Sequence, residues 1–318
     1  MYKHFVDKFG EGAFIDYAQF IDEALFSQGI GYYRQPRERV GKARDTDFYT
    51  AASLGAVFWK MVLAAGAHFS KNKEIFVEIG AEPGGYDYQD ELESPFEKAL
   101  KLRLGDELDI PESAIVFSNE LLDAQVFHKM RFIDGVWKEI GLKVGHKALD
   151  EVVLPEVNEK LIPHLSCFPN ERTEGYTIDF PLGSISLLDG IAKQNWTGTL
   201  MFFDYGKSWD ELCAVSHEGT ARAYCNHCQN NNILKYPGKQ DITHHVCWDF
   251  LKDVLKDNGF RDITVYTQES FFVKHAGNVI KEIIEEGAGQ FSEDKQVLQG
   301  LLHPGQMGSK FQILLASR

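Results

Sequence analysis

Short runs that are apolar on both faces recur along the chain, at Ile75–Ile79, 114–117 and 199–203, each followed by polar or glycine-bearing residues. Such runs, separated by segments of helical spacing, predict strands of a parallel sheet covered by helices on each side. Residues 51–69 are apolar almost throughout and predict a buried helix, since Lys60 near the middle and His68 near the end oppose a membrane span. Phe20, Ile21, Ala24 and Leu25 repeat at helical spacing before a turn-rich, basic loop, so the first 70 residues read as helices around that loop. Residues 129–144 alternate apolar and polar about Asp134-Gly135, which predicts a β-hairpin.

A proline-punctuated stretch, 154–181, follows the hairpin and fits poorly in an alternating sheet. Residues 129–190 are therefore read as an insertion that forms one wall of a substrate cleft. Val246, Cys247, Phe250, Leu251, Val254 and Leu255 line one helical face, with Thr243 as N-cap and Gly259 as stop. Residues 273–284 repeat the helical pattern, and 310–316 read as a last strand. Three parts are expected: a helical extension over 1–70, an α/β core over 71–128 and 191–318, and the insertion at 129–190.

Composition narrows the partners. The 318 residues are 44% hydrophobic and 25% charged, as in a folded globular chain. Lys plus Arg is 33 and Asp plus Glu is 47, a formal charge of −14 that repels phosphate backbones and anionic lipid. No nucleic acid or membrane partner is expected. Five cysteines are too few and odd in number for a disulfide framework, and residues 1–8 lack a signal-peptide core, so the expected location is cytoplasmic.

Candidate chemistry follows the strands. Glu78-Ile79-Gly80-Ala81-Glu82-Pro83-Gly84-Gly85 ends a strand in an acid and then glycines, as an α/β sheet does where it makes room for a nucleotide-like cofactor. Glu82 would repel a pyrophosphate, whereas S-adenosylmethionine (SAM) carries a sulfonium and no phosphate, so charge favours SAM over NAD. Asp106 lies 22 residues after Gly84, near the distance of a ribose-binding acid. Asn119, Glu120 and Asp123 follow another strand; a helix starting there would put Glu120 and Asp123 on one face, able to grip a guanidinium. Asp204-Tyr205-Gly206 ends a third strand in the same way. Each acid also has a plain reading, as a solvated loop or a helix-dipole partner. Cys225 and Cys228 flank His227 at zinc-ligand spacing, but no second such pair exists, and no metal is expected. Arg34, Arg37, Arg39 and Arg44 form a basic stretch that reads as a solvated loop or a substrate-facing patch.

Several of these pieces together resemble the MidA-like family of SAM-dependent methyltransferases, which includes a mitochondrial complex I assembly factor that methylates a protein arginine. Gly31-Tyr32-Tyr33 and Asp47-Phe48-Tyr49-Thr50-Ala51 are similar to its N-terminal elements, and Glu78-Ile79-Gly80 to its cofactor loop. Asn119-Glu120-Leu121-Leu122-Asp123-Ala124 resembles its N-E-x-x-D-A motif and Asp204-Tyr205-Gly206 its D-Y-G. Residues 219–224 with His227, residues 237–246, and Met307-Gly308 before Phe311 match later elements in order. The family's loop usually reads E-L-G-x-G-x-G, and here Glu82 and Pro83 intervene.

The resemblance implies a Rossmann-like class I methyltransferase sheet with an N-terminal helical extension and an inserted hairpin-bearing segment. It implies SAM as cofactor, held by Glu78, Gly80, Gly84, Asp106 and Asn119. Glu120, Asp123 and Asp204 would line the transfer site for a protein or small-molecule methyl acceptor, such as a protein arginine. A non-catalytic assembly module on a degraded methyltransferase scaffold is the alternative that Glu82 and the shortened segment before Asn119 suggest.

Overall fold

The computed structural model describes residues 1–35, 54–70, 74–215, 217–225, 228–286 and 292–318. In chain order the helices are α1 (Tyr2–Phe9), α2 (Tyr17–Phe26), α3 (Ala56–Phe69), α4 (Tyr88–Glu91), α5 (Leu182–Ala192), α6 (Trp209–Val215), α7 (Trp248–Asp257), α8 (Gln268–His275), α9 (Gly277–Glu286) and α10 (Glu293–Leu302). Early strands are β1 (Phe14–Asp16), β2 (Ile75–Ile79), β3 (Ala99–Leu102), β4 (Ser113–Asn119), β5 (His128–Ile133), β6 (Val136–Val144), β7 (Leu149–Val153) and β8 (Thr177–Phe180). Later ones are β9 (Thr197–Asp204), β10 (Gly206–Lys207), β11 (Arg222–Cys225), β12 (Cys228–Asn230), β13 (Asp241–Thr243), β14 (Val246–Cys247), β15 (Arg261–Thr267) and β16 (Gln312–Ser317). No described helix is long and apolar enough to cross a membrane.

The chain divides into two compact units. One comprises Met1–Arg37, Leu122–Leu187 and Lys207–Phe250; the other comprises Glu38–Leu121, Leu188–Gly206 and Leu251–Arg318. That division cuts the chain differently from the three parts read from the sequence. Residues 207–250 join the inserted segment, and α3 belongs with the core sheet. The reason for α3 lies in its composition: Val57, Phe58, Trp59, Met61, Val62 and Leu63 are all buried and share one core with the strands of that sheet.

The second unit holds the predicted sheet, six strands in the order β15-β16-β9-β4-β2-β3. β3, β2, β4 and β9 run parallel, while β16 is antiparallel to both β9 and β15. Phe76, Ile115, Phe117, Met201, Phe203 and Ile313 share one core with residues of α3, α8, α9 and α10. The residues that alternate with them, among them Val77, Val116, Leu200, Phe202 and Leu314, are buried as well. Both faces are thus covered, which is why the strands read as continuous apolar runs. Each of these large side chains contributes about 1.5–3 kcal/mol by leaving water.

In the first unit β6 pairs antiparallel with β5, β1 and β7, and β5 pairs with β8. The expected hairpin is present: Ile133 faces Val136 across a two-residue turn in which Asp134 (φ 54°) and Gly135 (φ 78°) are both left-handed. Met130, Phe132, Tyr176, Ile178 and Phe180 pack with Leu161 and Phe168 from the proline-bearing segment, giving this sheet its own core. Two local expectations fail. Thr243 is not a helix cap, because it lies in β13 paired with Arg222, and the helix begins at Trp248 after the extended Val246–Cys247. Residues 273–284 are two helices, α8 and α9, broken at Ala276.

Candidate active site

Sheet order locates the cleft of the second unit. From β2 the chain runs to β3 on one side and then crosses to β4 on the other, so the strand order reverses at the carboxyl ends of β2 and β4. Ligands of open α/β sheets settle at that switch point. Ile79 is in register with Ser118, which sets Gly80 level with Asn119. On the other side of β4, Asn119 is in register with Phe203, one residue before Asp204. Glu78, Gly80, Asn119, Glu120 and Asp204 therefore share one rim of three adjacent parallel strands.

The chain adopts costly conformations along this rim. Gly80 has φ 81°, and a Cβ there would stand 2.9 Å from Leu121 Cδ1. Glu120 takes φ 50° although it is not glycine, a left-handed backbone that costs a side-chain-bearing residue about 1–2 kcal/mol. Its amide donates to Phe203 O at 2.8 Å, which holds the turn in place. The Asn119 side-chain Nδ2 donates to Glu120 Oε1 at 2.9 Å. Asn119 Oδ1 is buried and accepts no hydrogen bond among the described residues. Asp204 is 1% exposed, and its Oδ1 accepts from Tyr205 N at 2.8 Å.

Glu78 is a strongly perturbed acid of the rim. Burial drives its pKa upward, and a favourable Tyr88 hydroxyl and the charges of Lys101 and Arg103 only partly offset this, leaving it at about 7. The Tyr88 hydroxyl lies close enough to favour the carboxylate. The Tyr88 ring stacks on Trp59 with 4.1 Å between ring centroids, and Lys101 Nζ lies 4.4 Å from the Tyr88 centroid. Tyr88 and Lys101 lie outside any recognisable motif, and Leu121 falls at an unspecified position of the N-E-x-x-D-A element.

Other expected site residues lie in the loops and turns beyond the strands. Gly84 is exposed in the loop after β2, with φ 76°. Asp106 is exposed and closes its own turn, accepting from Arg103 N at 2.7 Å. No helix starts after Asn119. A turn at residues 122–125 takes its place, so Glu120 and Asp123 do not share a helical face. Asp123 belongs to the first unit, where its side chain is 2% exposed and its carbonyl accepts from His244 N. Cys225 and Cys228 face each other across the β11–β12 hairpin. Arg37, Arg39, Arg44, residues 47–51 and His227 lie outside the described residues.

Residues 90–266, more than half of the chain, match the model of a family described as "Putative S-adenosyl-L-methionine-dependent methyltransferase". The chain belongs to that family. The motif resemblance to MidA-like methyltransferases agrees with this membership. The match spans Asn119, Glu120, Asp123 and Asp204 and begins after the Glu78–Gly85 loop. A COG1565 superfamily member from Burkholderia thailandensis, solved bound to S-adenosyl-homocysteine, is similar in fold, with a TM-score of 0.84 at 21% identity over 98% of this chain and 89% of that one. A native structure of a COG1565 superfamily protein from the same organism gives 0.77 at 20% identity, again over 98% and 89%. No curated protein matches the chain. The α/β fold expected for a class I methyltransferase is the fold observed.

Membership makes the protein a SAM-dependent methyltransferase, and the rim residues suit that cofactor. Asn119 Oδ1 is a buried acceptor in need of a donor, such as an amine or a hydroxyl. Glu78, Glu120 and Asp204 are acceptors whose charge favours a sulfonium and disfavours a phosphate.

Proposed function

We propose that the protein transfers a methyl group from SAM to a protein side chain, arginine being the acceptor that its acids suit best. Glu78, Gly80, Gly84, Asp106 and Asn119 hold the cofactor in this reading, and Glu120, Asp123 and Asp204 serve the acceptor. The observation that carries it is Glu120: a strained, non-glycine backbone that keeps a carboxylate bonded to Asn119 between the Gly80 turn and Asp204. Strain of this kind persists where the surroundings enforce it, and it concentrates at functional sites.

SAM supplies a methyl group already activated by its sulfonium. The protein's task is therefore positioning and proton handling. The Glu120 carboxylate orients the acceptor guanidinium through charge-assisted hydrogen bonds and takes the proton that the nitrogen sheds. Asp204, fixed by the Tyr205 amide, adds negative potential at the same rim. Asp123 takes its role from its place in the N-E-x-x-D-A element.

Incubating the purified protein with methyl-tritiated SAM and lysate from a strain lacking it tests the reading. Acid hydrolysis of the labelled protein should release methylated arginine. Binding of S-adenosylhomocysteine with no labelled protein would leave the cofactor site standing and defeat the protein acceptor.

A further inference from the structure

In the first unit three sequence-distant strands bring together an imidazole and two carboxylates. Asp16 ends β1, His128 opens β5 and Glu139 lies in β6, and their ligating atoms fall within 4.8 Å of one another. All three are nine-tenths buried, at 8%, 4% and 1% exposure. His128 Nδ1 lies 2.7 Å from Glu139 Oε1 and 4.0 Å from Asp16 Oδ2. We propose that these residues form a binding site for one divalent transition-metal ion of the zinc type.

Charge supports it. Neither Asp16 nor Glu139 pairs with a lysine or arginine among the described residues. A divalent ion held between them would offset both carboxylates. Buried charges persist where they are paired or bound to metal. Two carboxylate oxygens and one imidazole nitrogen also make a donor set of the kind that zinc takes, with a further position left open.

The surroundings add two independent features. Asn158 braces both carboxylates, its amide donating to Glu139 Oε2 at 2.6 Å and its Nδ2 to Asp16 Oδ2 at 3.0 Å. Outer partners of this kind fix the orientation of metal ligands. Asp16 and His128 also line a cavity of about 400 Å³, together with Asn158 and Lys160. The cavity is the path by which an ion enters. On binding, the ion takes the place of the proton between Nδ1 and Oε1, which leaves to solvent.

The test uses the untagged full chain, dialysed against a chelator and titrated with Co²⁺. One equivalent should bind, with visible absorption bands that Zn²⁺ then abolishes. His128→Gln, Glu139→Gln and Asp16→Asn should each weaken binding tenfold or more. Asp16→Asn keeps an acceptor for the Gln19 amide at the start of α2, so it decides the matter should the other two fail to fold. Wild type taking up no more Co²⁺ than His128→Gln, or a spectrum unchanged in Asp16→Asn, overturns the site. None of these readouts depends on methyl transfer.

Discussion

Glu78 lies in β2 and Asp106 in the turn after β3, its parallel neighbour, yet the fold treats them in opposite ways. Glu78 lies within β2, withdrawn from water, with its pKa pushed up to about 7 by burial. Asp106 lies four residues beyond the end of β3, exposed, with its carboxylate already bonded to its own turn. A turn that uses its acid gives a complete account of that acid. A buried acid kept against its desolvation cost does not, and the cost falls beside the strained Glu120 and the left-handed Gly80. The contrast ranks the expected site residues by what the fold gives up to keep them.

Glu120 should yield the largest effect. Glu120→Gln keeps size and a hydrogen-bonding carbonyl but removes the base, so methyl transfer should slow about a hundredfold with cofactor affinity nearly unchanged. Glu120→Gly should slow it as much while raising stability by about 1 kcal/mol, because glycine accepts φ 50° freely. Calorimetry with S-adenosylhomocysteine, single-turnover rates and urea unfolding separate these outcomes. An active Glu120→Gly variant would remove Glu120 from the chemistry.

Glu78 makes a prediction about pH. Between about pH 4.5 and 7 the folded chain keeps a proton that the unfolded chain has released, so stability falls as pH rises across that window. The full loss is about 3 kcal/mol. His275 works the other way. It is buried, and burial, followed by the charges of His68 and Lys274, lowers its pKa from 6.5 to about 4. Below pH 6.5 the unfolded chain binds a proton that the folded chain refuses, so this group makes stability rise from about pH 4 to 6.5. Wild type should show a shallow profile because the two oppose. Glu78→Gln should expose the rise and His275→Phe the fall, in urea unfolding at pH 5, 6.5 and 8. Equal losses in Glu78→Gln and wild type between pH 6.5 and 8 would contradict the assignment.

Gly80→Val comes next. A β-branched residue at φ 81° must also displace Leu121 from 2.9 Å, and the turn escapes only by moving. Some 2 kcal/mol of strain corresponds to roughly thirtyfold weaker S-adenosylhomocysteine binding.

Much of the second unit was legible because burial on both faces leaves an unbroken apolar signature, as in Phe76-Val77 or Leu200–Phe203. The Asp134-Gly135 hairpin was legible because its turn chemistry is local. Thr243 misled because a polar residue before an apolar periodic run looks like a cap whether or not the chain turns there. The left-handed Glu120 left no trace, since its φ is imposed by the Phe203 carbonyl, 83 residues away in sequence. Asp16, His128 and Glu139 were illegible for the same reason: only strand pairing across the sheet assembles them. Glu78, Gly80 and Asn119 were each named from sequence, but the ranking of Glu78 above Asp106 needed their surroundings.

Asp106→Asn should have the smallest effect and is the sharpest check on that ranking. Asparagine retains a carbonyl oxygen that accepts from the Arg103 amide, so the turn survives and stability should change by less than about 0.5 kcal/mol. If Asp106 contacts the ribose of SAM, the substitution replaces a charged acceptor by a neutral one in an exposed setting. Hydrogen bonds to charged groups are worth about 1.5–3 kcal/mol and neutral ones about 1. The difference, reduced by solvent, predicts S-adenosylhomocysteine binding weakened by less than about tenfold. A larger loss would show that the turn closes around the cofactor when it binds, and Asp106 would then rank with Glu78 in spite of its exposure.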